Sequence, residues 1–349
     1  MKKYLRYELK KNRNALIVLT VLCALIAGVV MVNINLFSRW PAYTESGVRV
    51  EGEYRIVNGD GGLSFFCMTL ALLCVFVAVY QYAFKMKKRS VDAFYALPIR
   101  KEKLYFGKTL IGLLMVFIPY TVAYLLGITI VLCRENYFHL GWYLPYYFAS
   151  VGLGVCLYFF YAFIFTRANT LVDGLVFMLG WSFLFELATY FICGALSESF
   201  GLSALAEILH ERGYMDFEYM AIGGLISVET AFARLLASGT LASFRPQALL
   251  FSLLCGGAAA SLFFLLLKKE KAENAEQISS SLWGYRTLIP AYLTLCVALT
   301  GNDPLLNIVL LAAGFVGYVV YRRSVRLKVA DWISLAASFL AGLLLMGLI

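Results

Sequence analysis

The chain has 349 residues, 61% of them hydrophobic and 15% charged, with a formal net charge of +9 and a mean hydropathy of +0.77. A soluble core cannot absorb this much apolar surface, so the composition excludes an ordinary water-soluble globule and makes a bilayer the expected solvent. The basic balance also fails to point to nucleic acid, because the charges are distributed by loop rather than gathered on a face.

In chain order, residues 1–14 read as an amphipathic helix, with Lys2, Lys3, Arg6, Lys10 and Arg13 on one arc and Tyr4, Leu5, Tyr7 and Leu9 on the rest. Such a helix lies in the headgroup layer with its bases toward anionic lipid. The plainer alternative is a positive flank that only sets topology. Apolar runs follow at 15–37, 63–84, 109–133, 143–165, 170–196, 247–267, 283–300, 305–321 and 332–349. Each is near the roughly 20 residues that carry a helix across about 30 Å of hydrocarbon. The first run is too long for a signal peptide and no small-x-small site follows it, so it reads as an uncleaved span. With the N-terminus inside and every run crossing, the outer segments keep only Arg39, Arg49, Arg55, Arg134, Arg212, Arg234 and Arg245 of the 30 Lys and Arg. That asymmetry is the positive-inside pattern.

Between the runs, 38–62 has short alternating pieces and suggests a small outer hairpin with Asn58-Gly59-Asp60-Gly61 as its turn. The cytoplasmic segment 85–108 is the most informative. It opens with Lys85, Lys87, Lys88 and Arg89. Ser90 is placed to cap a short helix with Asp92 in its first turn. Pro98 disfavours helix at Leu97 and suits the first helical position of a longer helix running into the third span. Phe94, Tyr95 and Leu97 then stand as apolar groups beside charges, the composition of a protein-docking knob; an aromatic belt at the interface is the alternative. The outer segment 197–246 has Leu202, Leu205 and Leu209, and then Leu225, Val228, Phe232 and Leu235, at helical spacing. Residues 268–281 form a polar linker, and Asn302-Asp303-Pro304 reads as a turn in the tail.

Little else in the sequence carries chemistry. The eight cysteines fall in apolar runs without metal-ligand spacing, and His139 and His210 lack acidic or cysteine partners at ligand spacing, so no metal site is expected. Asp173 and Glu186 are the acids placed inside spans, where charge usually faces a bundle interior or a wet cavity. Thirteen residues apart on a helix, they point to nearly opposite faces. Pro119 and Pro290 are expected to kink or break their spans, and Gly152-x-Gly154 to let helices approach. No G-x-x-x-x-G-K-[ST] phosphate loop is present.

The pattern Asp92-x-Phe94-Tyr95-x-Leu97-Pro98-Ile99-Arg100-Lys101-x-Lys103-Leu104, with Gly107-Lys108 opening the next span, resembles the coupling-helix region of type-2 ABC exporter permeases of Gram-positive bacteria. The order of an amphipathic start, six spans and an outer insert before the sixth is also similar to that family. The Lys268–Ala275 run resembles the segment after the sixth span in a subgroup with extra C-terminal spans, and the resemblance covers about 1–285.

The expected fold is therefore an all-α polytopic membrane protein. It comprises an interfacial helix at 1–14, a six-span permease-like unit at 15–267, a linker at 268–281 and about three further transmembrane helices in a tail at 282–349. The resemblance implies a non-enzymatic permease subunit of an ATP-driven exporter in a bacterial plasma membrane, moving an amphipathic cargo such as a peptide antibiotic, lipid or drug-like molecule. It implies a cytoplasmic ABC ATPase partner that binds the ATP and Mg, a second permease chain (homo- or heterodimer), no cofactor in this chain and no nucleic acid. ATPase docking would use Asp92, Phe94, Tyr95, Leu97, Pro98, Arg100 and Lys101. Glu186 and Asp173 remain an intramembrane polar site. The alternatives are an ion-coupled secondary transporter using Glu186, or a membrane scaffold or sensor that transports nothing.

Overall fold

The computed structural model describes the backbone of residues 2–33, 37–43, 49–58, 62–96, 98–133, 140–198, 246–267, 272–279, 281–300 and 303–347. In order these are α1 (Lys2–Asn33), β1 (Phe37–Tyr43), β2 (Arg49–Asn58), α2 (Gly62–Tyr82), α3 (Lys88–Tyr95), α4 (Lys101–Leu132), α5 (Leu140–Thr166), α6 (Leu171–Glu198), α7 (Pro246–Leu267), α8 (Tyr285–Thr300), α9 (Pro304–Arg322) and α10 (Val329–Met346). Short 3₁₀ turns occupy Ala83–Met86 and Ala272–Asn274. The two strands pair antiparallel, with Tyr43 opposite Arg49 and Phe37 opposite Asn58. The connection between the strands, 44–48, lies outside the described residues. Of the expected turn Asn58-Gly59-Asp60-Gly61, Asn58 is the last residue of β2, paired with Phe37, and 59–61 lie outside the described residues.

Among the described residues, six helices are long and apolar enough to cross a membrane: Lys3–Asn33, Phe65–Met86, Lys101–Leu132, Tyr146–Thr166, Pro304–Arg322 and Val329–Met346. Apolar stretches at Leu171–Leu184, Leu253–Leu267 and Tyr285–Thr300 are shorter. Large apolar side chains such as Leu72, Leu179, Leu305 and Leu344 are more than half exposed, a surface that water penalises and hydrocarbon accepts. The protein is a multi-pass membrane protein. Neither Pro119 nor Pro290 interrupts its helix.

Two compact units emerge, each drawn from three stretches of chain: Met1–Gln81, Ile99–Tyr161 and Ile222–Lys268 in the first, and Tyr82–Pro98, Ala162–Ala221 and Lys269–Ile349 in the second. This division interleaves along the sequence, whereas the expected one ran core, linker, tail.

In the first unit α1 is one unbroken helix of 32 residues, about 48 Å long at 1.5 Å per residue. It runs parallel to α4. A Cβ on Gly107 would meet the Tyr4 ring at 2.7 Å, and one on Gly127 would meet Met31 at 3.2 Å. Residues 2–14 continue the stripe of the span, burying Tyr4, Glu8, Asn12, Cys23, Ala27 and Met31 at four-residue steps with one step of eleven, while Tyr7 and Leu9 stay exposed. The interfacial segment and the first span are thus one element, because i, i+4 neighbours share a face. Helices α5 and α7 approach closely: a Cβ on Gly256 would lie 2.6 Å from the Cys156 Cα. Of the expected glycine pair, Gly154 packs on Leu70 and Gly152 faces open space.

In the second unit α8 lies against α6, α9 and α10. Its Tyr292 hydroxyl donates to the Gly180 carbonyl at 2.6 Å, and Thr294 donates to that of Ser338 at 3.1 Å. Asp303 caps α9 by accepting from the Leu305 and Leu306 amides, with Pro304 at the first helical position. Arg322 and Asp331 close the α9–α10 hairpin with two bonds of 2.8 and 2.6 Å.

Candidate docking segment and its anchors

The short helix α3 has little reason to form alone. An eight-residue helix is marginal in water, and its N-cap, Lys87, supplies no side-chain cap. Ser90, the expected cap, and Asp92, expected in the first turn, both lie further inside the helix. What holds α3 is tertiary. Val91 is 1% exposed, and the Phe94 ring packs on Phe84 with centroids 4.7 Å apart. The Lys88 amide donates to Glu276 Oε1 at 3.3 Å, across 188 residues of chain. Beside it, buried Lys85 donates from Nζ to the carbonyl of Thr166, the last residue of α5. An ammonium there satisfies an orphan carbonyl and opposes the negative end of the helix dipole.

Helix α3 ends with Ala96 as its C-cap, and α4 begins at Lys101 with Arg100 as its N-cap. A helix, a break and a long helix were anticipated, but Pro98 lies within the break rather than in the first turn of α4. Of the proposed docking residues, Asp92, Pro98, Arg100 and Lys101 are exposed, and Phe94 and Tyr95 are half-buried. Leu97 lies outside the described residues. Phe94 is thus partly spent on seating α3, which leaves the outward face of the segment chiefly charged: Lys87, Lys88, Arg89, Asp92, Arg100, Lys101, Glu102 and Lys103 are all exposed.

Of Asp173 and Glu186, the structure describes the side chain of Asp173. Asp173 occupies the first turn of α6 and is 9% exposed. Its Oδ2 accepts from the Ser279 hydroxyl at 2.9 Å and its Oδ1 from the Tyr285 hydroxyl at 3.0 Å. The Glu186 side chain lies outside the described residues, as do 199–245, which hold the expected outer helices and His210; His139 lies outside them too. Ser279 also accepts from the Asn169 amide at 2.9 Å, and the Asn169 carbonyl accepts from the Glu276 amide at 3.0 Å. Glu276 adopts φ 65° to do so, a left-handed conformation that costs a non-glycine residue something to hold. Within 268–281, expected as a linker, residues 276–279 are laid against the α5–α6 turn by their bonds to Asn169. Trp283 adds ring contacts to Phe163 and Trp181 at 5.1 and 5.4 Å, and its carbonyl accepts from the Trp181 indole at 2.8 Å.

In the first unit, a cluster absent from the sequence reading joins α1 to α4. Glu8, fully buried, accepts from the Tyr4 hydroxyl at 3.0 Å and from Asn12 Nδ2 at 3.3 Å, and lies 3.6 Å from Lys108 Nζ. The readable signal was the four-residue spacing of Tyr4, Glu8 and Asn12, a polar stripe inside a basic helix. Gly107-Lys108-Thr109 imitates the end of a phosphate loop, but Glu102 stands where the first glycine would be and the trio lies inside α4 with Lys108 turned to Glu8. A phosphate cradle needs free loop amides, which a helix interior lacks.

Among the described residues, no group of three His, Cys, Asp or Glu could hold a metal ion. No protein-family model, curated protein or solved structure matches this chain.

Proposed function

We propose that the chain is the membrane-spanning subunit of an ATP-driven exporter of the type-2 ABC class, moving an amphipathic cargo with energy supplied by a separate cytoplasmic ATPase. The observation that carries this reading is α3, a short helix between two membrane helices, seated on Val91 and Phe94 and facing outward with charge. A helix of this length, fixed by packing and bracketed by a chain break, suits the transmission of a push from a bound protein. It suits a reaction centre poorly, since among the described residues no nucleophile–base pair adjoins it. The lack of a phosphate-binding loop in the sequence is compatible with ATP chemistry in a separate partner. On this reading α3 and the start of α4 are cytoplasmic, and a second permease chain completes the transport path.

The test is co-purification of the full-length protein, in detergent, with the ABC ATPase encoded beside it. Asp92→Arg with Arg100→Glu reverses two exposed charges without touching the seat of α3, and retained ATPase should fall at least about tenfold, a loss of roughly 1.4 kcal/mol. Unchanged retention would overturn the docking role. Phe94→Ala is a poorer probe, because it loosens α3 as well.

A further inference from the structure

Asp173 reaches α3 through an unbroken series of contacts. The carboxylate holds Ser279 and Tyr285, Ser279 holds the Asn169 amide, Asn169 holds the Glu276 amide, and Glu276 accepts from the Lys88 amide at the start of α3. Asn169 Nδ2 adds a bond to the Ile278 carbonyl at 3.3 Å, and Ala275, between these ties, is 4% exposed. The N-cap residue Lys87 gives α3 no side-chain cap; the carboxylate at its first turn arrives on the segment that Asp173 pins. A carboxylate at a helix N-terminus satisfies an orphan amide and favours the dipole.

We propose that Asp173 is a positioning residue for α3: by pinning Ser279 and Tyr285 it holds 272–279 in place, and that segment in turn caps and seats the docking helix. The C-terminal helices are thereby tied to α3, so a load on α3 is carried into α6 and α8. The proposal deepens the docking reading by adding what orients the docking helix, but its geometry does not depend on which protein docks there.

Hydrogen exchange by mass spectrometry on the full-length protein in nanodiscs, with no partner added, tests it. Asp173→Ala should speed exchange at least about tenfold in both 272–279 and 88–95, while 304–346 stays as slow as wild type and reports an intact fold. Asp173→Asn keeps a carbonyl acceptor and should restore slow exchange in both segments. Faster exchange at 272–279 with 88–95 unchanged would overturn the proposal, and so would no change in either segment. Should Asp173→Ala not fold, Ser279→Ala removes one link and is held to the same two criteria. Because the ATPase is absent, failure of docking and failure of this tie give separate results.

Discussion

At the residue scale, Glu8 and Lys108 show how a charge is kept inside a helix interface. Each is at most 4% exposed, and the carboxylate has three polar neighbours. Burying two ions gains little against a well-packed apolar pair, but removing one alone leaves the other uncompensated at a cost of about 3–5 kcal/mol. Lys108→Met should therefore lower the thermal unfolding temperature in detergent sharply, and Glu8→Gln with Lys108→Met together should cost much less than the two single changes summed. Additive losses in that double-mutant cycle would mean the pair is not coupled. Gly256 is the other decisive residue, since the space for its Cβ is filled by Cys156 backbone as well as side chain. Gly256→Ala should force α5 and α7 apart and destabilise by about 1–3 kcal/mol, read as a lower unfolding temperature with helical circular dichroism retained.

At the element scale, α3 is the case where local preference and observed structure part. Its sequence offers a serine, an aspartate and a proline that look like caps and starts, yet the helix begins at Lys88, ahead of Ser90, and ends before the proline. Short helices are decided by what they lean on. A synthetic peptide of residues 84–100 should therefore show almost no helical circular dichroism in water, and a strongly helical spectrum would contradict the tertiary origin of α3. The long helices behave in the opposite way. Their apolar runs were legible because hydrocarbon demands internal backbone pairing over a fixed length. Their ends were less so, as α1 and α4 each run well beyond the hydrocarbon and join through polar contacts there.

At the scale of the whole molecule, the C-terminal part is built into the second unit, with Ser279 bonded to Asn169 of the α5–α6 turn, Trp283 to Trp181 of α6, and α8 against α6. Deleting 268–349 should strip support from α3 and uncover the side of α6 around Phe177 and Gly180, which Gly284 and Leu288 now cover. Limited proteolysis of the truncated protein in membranes should then cut readily within 83–100, where the full-length protein resists. Equal resistance would show that the part before 268 stands alone.

Composition and hydropathy suffice to make this a multi-pass helical membrane protein, because bilayer thickness and backbone hydrogen bonding act on every stretch of chain separately. Pro98 within 85–108 likewise marks out a short helix and a break. Local pattern does not reach the partners that make those elements stable. Asp173 finds Ser279 at a separation of 106 residues, Lys88 finds Glu276 at 188, and Glu8 meets Lys108 only because α1 and α4 run side by side. Those pairings depend on which helix faces which, a matter of packing that one-dimensional periodicity does not encode.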